Sequence, residues 1–137
     1  MLKSYALITA VMSTLILIPA EAQIAEKMRG EHWIEAGGNT LLKVYLLPKF
    51  VTKKGDIYSL VVKEHYKQTI SNIKSSISMI KINCLTNEWT EEYAETYSGD
   101  NLDGVLVDAG HYQTPLAWDR IDDADHAYTH TKKLICN

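Results

Sequence analysis

The chain has few of the residues that build metal cages or specialised fibres. Two cysteines in 137 residues cannot supply a four-thiolate zinc site. Seven glycines and three prolines exclude collagen-like and proline-rich architectures. Positive charge is also scarce: 14 Lys+Arg stand against 17 Asp+Glu, for a net charge of −3. No basic stripe is present to neutralise phosphates, which argues against a nucleic-acid partner. Neither a G-x-S-x-G nucleophile elbow nor a phosphate-binding glycine loop occurs. The length suits one domain and not two. Only one long apolar run exists, and it lies at the start.

That run reads as a secretory signal over residues 1–22. Lys3 gives the positive start, residues 5–18 are uncharged and mostly apolar, and Pro19 breaks them. Ala20-Glu21-Ala22 is an A-x-A cleavage site. As a helix the run spans roughly 21 Å, whereas a bilayer core needs about 30 Å. Cleavage is therefore expected to release a soluble domain, 23–137, with no transmembrane segment. Export in turn makes pairing the default reading for Cys84 and Cys136. The closed loop would contribute about 4 kcal/mol in the chain-entropy model.

The remaining sequence predicts an α+β fold. About six short strands form a mainly antiparallel sheet, packed against a C-terminal α-helix and stapled by one disulfide. Residues 23–31 read as a short helical lead-in. His32–Glu35 reads as a strand stopped by Gly37-Gly38-Asn39, and Leu41–Leu47 as its hairpin partner ending at Pro48. Ile57–Tyr66 alternates as a half-buried strand, with Tyr58, Leu60, Val62 and Tyr66 on one face. The polar, Ser-rich stretch 67–76 reads as a connection, and Ile77–Cys84 as a further strand. Trp89, Tyr93 and Tyr97 recur on one face of the next, with Glu92 opposite. Val105–Val107 is a short strand, 108–115 reads as loop, and Leu116–Ile121 brings in Trp118. Helical spacing runs from Ala124 to Ile135, with Asp122 or Asp123 as the cap.

Candidate sites are few. On that helix His126 and His130 would share a face, with Asp122 or Asp123 one turn earlier, a set able to hold Zn²⁺. A solvated helix face is the commoner outcome, and the glutamate of H-E-x-x-H is missing. Asp100, Asp103 and Asp108 lack calcium-loop spacing and read as turn chemistry. Glu91, Glu92 and Glu95 could suggest paired acids, with Glu91 and Glu95 on one strand face and Glu92 on the other. The Tyr and Trp residues serve either core or a protein-binding face. Exposed sheet edges offer a route to a homodimer.

An ordered set of features resembles a known family. Trp33 follows the leader, and a Val44-Tyr45 strand ends in Pro48. A polar strand runs into Cys84, then Trp89 leads to Tyr97-Ser98-Gly99. Trp118 precedes a terminal helix closing in Ile135-Cys136. Over most of residues 31–137 the chain resembles the bacterial surface-adhesin E-like family. The resemblance implies a roughly six-stranded antiparallel sheet on a C-terminal helix, with the cysteines bonded. It implies non-catalytic binding of host extracellular-matrix or plasma proteins, without a cofactor. The family adhesin is lipid-anchored, whereas no lipid-accepting cysteine lies near this cleavage point. The expected destination is therefore the periplasm or the medium as much as the cell surface. The alternative is a periplasmic accessory or inhibitor protein that binds an envelope component.

Overall fold

Apolar alternation builds the sheet, and polar side chains decide where it continues. In the computed structural model, residues 24–111, 117–121 and 124–137 are described; the leader, Pro115, Asp122 and Asp123 lie outside them. A short helix, α1 (Ile24–Met28), opens the described chain. β1 (Ile34–Gly38) and β2 (Leu42–Leu46) form the expected hairpin. Asn39 makes its turn, where Oδ1 accepts the N–H groups of Leu41 at 2.9 Å and Leu42 at 3.1 Å.

Gly37 and Gly38 do not stop β1 but lie within it. Gly37 is needed for close approach: a Cβ there would stand 2.9 Å from Thr131 Oγ1 and 3.0 Å from the Ala127 carbonyl.

β4 (Ile57–Ile70) and β5 (Ile73–Asn83) are the two longest strands and pair antiparallel. Only Ser71 and Asn72 join them, both left-handed at φ 48° and 66°, as a two-residue hairpin requires. The stretch 67–76 is thus strand on both sides of this turn and not a connection. Two of its serines, Ser75 and Ser76, are buried and bonded. Ser75 donates to the Gly99 carbonyl at 2.6 Å and accepts the Leu102 N–H at 2.8 Å. Ser76 donates to Glu64 Oε1 at 3.0 Å.

β6 (Glu88–Tyr97) and β7 (Leu106–His111) complete a six-strand path, β1-β2-β4-β5-β6-β7. Two short strands join it: β3 (Thr52–Lys54) pairs with β4, and β8 (Asp119–Arg120) with β6. The sheet is open, and every pairing in it is antiparallel. Part of the expected loop, Asp108–His111, therefore belongs to β7.

Both sheet faces are covered, so β4 is not half-buried. Leu60 and Val62 join Val44, Ile80, Ile82 and Tyr128 on one face. Val61 joins Ala25, Leu47, Ile77 and Tyr97 on the other.

The terminal helix, α2 (Thr129–Cys136), is shorter than its apolar spacing predicts. Residues 124–128 are turn-like, and Tyr128 occupies the cap position without a side-chain cap bond. Tertiary anchors fix this start. Tyr128 is buried, and Thr131 donates to the Ala36 carbonyl at 2.8 Å. Cys136 is bonded to Cys84 across 52 residues of chain, with their Cα atoms 5.7 Å apart. This ties α2 to the loop after β5. No helix among the described residues is long and apolar enough to cross a membrane.

Candidate functional site

Of the four glutamates of β6, Glu91, Glu92 and Glu95 are set apart by a bulge. Met79 pairs with Tyr93, but Ile80 pairs with Glu91, so Glu92 is the inserted residue. The insertion inverts the alternation. Trp89 packs into the α2-side core, while Tyr97 belongs to the α1-side core. Trp89, Tyr93 and Tyr97 therefore do not share a face, and neither do Glu91 and Glu95. Glu92 pairs with Lys81 at 3.5 Å.

Glu95 is fully buried and holds α1 to the sheet. Oε2 accepts the Ile24 N–H at 2.8 Å and the Tyr93 hydroxyl at 2.6 Å. Oε1 accepts the Ala25 N–H at 3.1 Å and the Tyr97 hydroxyl at 2.8 Å. Two of the N–H groups that a helix start leaves unpaired are thereby satisfied. Burial, and then the bond to Glu95, pushes the Tyr97 hydroxyl well above its ordinary pKa.

On the opposite face a second carboxyl, Glu64, accepts from Ser76 and from the Tyr128 hydroxyl at 3.1 Å. Burial raises its pKa against the bond from Ser76, and the charge of Glu91 raises it further. Tyr66 is pushed up to about 12, by burial and then by Glu64. Both buried carboxyls are consumed in bonds that hold α1 and the approach to α2, instead of facing a cleft.

Two openings flank α1. One is an apolar groove of about 380 Å³, lined by Met28, Phe50, Val61 and Met79, with Lys27 and Glu92 at its rim. Met79 is 39% exposed within an otherwise buried stretch of β5. The other is a pocket of about 260 Å³ bounded by Arg29, Gly30, Trp33, Lys63 and Asn101. Lys63 is only 8% exposed. Its ammonium lies 4.6 Å from the Trp33 ring centre and 5.3 Å from that of Tyr45. Sequence reading missed this residue, since Lys63 falls on the face of β4 that its polar neighbours Ser59 and His65 mark as exposed. Only the shared face with Val61 hinted at cover.

The remaining candidates separate. His130 lies in α2, but His126 precedes it, so the two do not share a helix face. His126 Nδ1 accepts the Tyr128 N–H at 3.1 Å, and its ring meets Trp89 edge-on at 5.7 Å. Among the described residues no group of three His, Cys, Asp or Glu side chains is arranged to hold a metal. Asp103 pairs with Arg29 at 2.9 Å, Asp100 sits in a 3₁₀ turn, and Asp108 lies on β7 opposite Thr96. No family model, curated protein or solved structure matches the chain.

Proposed function

We propose that the protein is a small exported, non-catalytic binding protein that acts through surface contacts with another protein. The observation that carries this reading is the open apolar groove beside α1, lined by Met28, Phe50, Val61 and Met79 and rimmed by Lys27 and Glu92. Apolar surface bordered by a lysine and a glutamate suits an anchoring side chain from a partner. Methionines adapt readily to varied partner shapes. The disulfide fits an oxidising compartment, in keeping with residues 1–22 as a signal peptide. The adhesin E-like resemblance names the partner class as host matrix or plasma proteins, and cell surface or medium as the place of action.

The test pairs location with binding. Surface labelling of intact cells should reach the protein or recover it from the medium. Immobilised protein should retain a matrix or plasma protein, and Met79→Glu should weaken that binding at least about tenfold by placing a charge in the groove. Recovery from the periplasm alone would overturn the adhesin reading in favour of an accessory protein for an envelope component. Undiminished binding by the Met79→Glu variant would overturn the groove.

A further inference from the structure

We infer that the pocket between α1, Trp33 and Lys63 is a binding site for a single carboxylate group of a small or chain-terminal ligand. Lys63 carries the inference. A lysine ammonium has three N–H donors, and here one is used, to Asn101 Oδ1 at 2.8 Å. The ring faces of Trp33 and Tyr45 supply electrostatic cover but no oxygen. No ion pair among the described residues includes Lys63. A lysine this little exposed is normally paired with an anion, because covering an ammonium without one is costly.

The other charges bordering the pocket are already matched. Arg29 is held by Asp103 at 2.9 Å and by the Leu102 carbonyl at 3.1 Å. Glu31 faces Lys49 at 3.4 Å. One uncompensated positive charge remains, which suits a monoanion. A phosphate dianion would meet Glu31 with Lys63 as the one unmatched positive charge, too little to offset both. The space, about 260 Å³, admits a short acid or the last residue or two of a peptide. Trp33 provides an apolar wall beside the charge, as small-ligand sites commonly do. A purely structural Lys63 would be satisfied by Asn101 and the two rings alone, and would respond to no added carboxylate.

This inference stands apart from the adhesive reading, since Trp33, Lys63 and Asn101 do not line the groove and the ligand chemistry differs. Chemical-shift titration of the purified, disulfide-bonded protein tests it. The probes are sodium acetate, a short peptide with a free C-terminal carboxylate, the same peptide as its amide, and inorganic phosphate. The Trp33 indole and Asn101 amide signals should shift and saturate with the free acid, at a Kd on the order of millimolar. The amide should bind at least about tenfold more weakly. Acetate as effective as the peptide would make the ligand a small free acid, and a stronger peptide would make it a chain terminus; either supports the site. Lys63→Met should abolish saturation and Lys63→Arg retain it. Should Lys63→Met fail to fold, the acid-against-amide comparison on the unaltered chain decides alone. Equal response to acid and amide, failure to saturate, or phosphate in place of carboxylate would overturn the proposal.

Discussion

Replacing Glu95 with Gln asks what holds α1. The amide keeps the volume of the carboxylate and one of its oxygens. Its NH₂ end must face either the Ile24 N–H or the Ala25 N–H, since each carboxylate oxygen serves one of them. The tyrosine hydroxyl at that end can rotate to accept a hydrogen bond, but the backbone N–H cannot. One backbone donor is left buried without an acceptor, at about 1–3 kcal/mol. The surviving bonds lose charge assistance, worth roughly half their strength. A total near 3 kcal/mol follows, with desolvation already contained in such net figures. A five-residue helix has no stability of its own, so the loss should show first as undocking of α1. Hydrogen exchange at Ile24 and Ala25 should accelerate about 100-fold, at about 1.4 kcal/mol per decade. The denaturation midpoint should also fall, while Glu26→Gln, at an exposed neighbouring position, should change neither. Unchanged protection at both amides, with stability within about 0.5 kcal/mol of the parent, would refute the role given to Glu95.

Two further outcomes follow from the same structure. Replacing Cys84 and Cys136 with Ala opens a 52-residue separation and should cost about 4 kcal/mol, lowering Tm by more than about 10 °C in calorimetry. Glu64→Gln should stabilise the protein at neutral and alkaline pH and have little effect in acid. Burial raises the folded-state pKa of Glu64. Its contribution is therefore full below the unfolded carboxyl pKa and is lost as pH rises through the raised value. Denaturant melts of parent and variant across pH should diverge as pH rises, and parallel curves would exclude a raised Glu64 pKa in the fold.

The sheet and its terminal helix were legible because period-2 runs and glycine or asparagine turns are local signals. β2 and the Ile77–Asn83 part of β5 follow from them directly, whereas β1 overlaps the expected His32–Glu35 strand only at Ile34 and Glu35 and runs on through Gly37 and Gly38. What escaped depends on contacts distant in sequence. Ser75 and Ser76 look like loop residues until Gly99, Leu102 and Glu64 arrive as their partners. The bulge at Glu92 inverts every side chain on one side of it, yet Glu91 and Glu92 are chemically identical neighbours. No local pattern could say which was inserted. The expected helix start at Asp122 or Asp123 rested on spacing, whereas Tyr128 and Thr131 are fixed by Glu64 and Ala36 across the core. Thus the framework could be read from periodicity, while the buried polar groups that define the candidate site could not.

Those buried groups also link stability to binding. Met28 borders both the apolar groove and the Lys63 pocket, so both openings depend on where α1 sits. α1 is held at its start by Glu95, and Arg29, the residue after it, is held by Asp103 and Leu102. Loosening the Glu95 anchor should therefore weaken a groove partner and a pocket ligand together, although Glu95 lines neither opening. A ligand in either site should in turn protect the Ile24 and Ala25 amides from exchange, because coupling between a site and the docking of α1 is reciprocal. Exchange measured with and without the C-terminal-acid peptide checks this. Protection that rises at Trp33 but not at Ile24 and Ala25 would show that the pocket forms independently of α1.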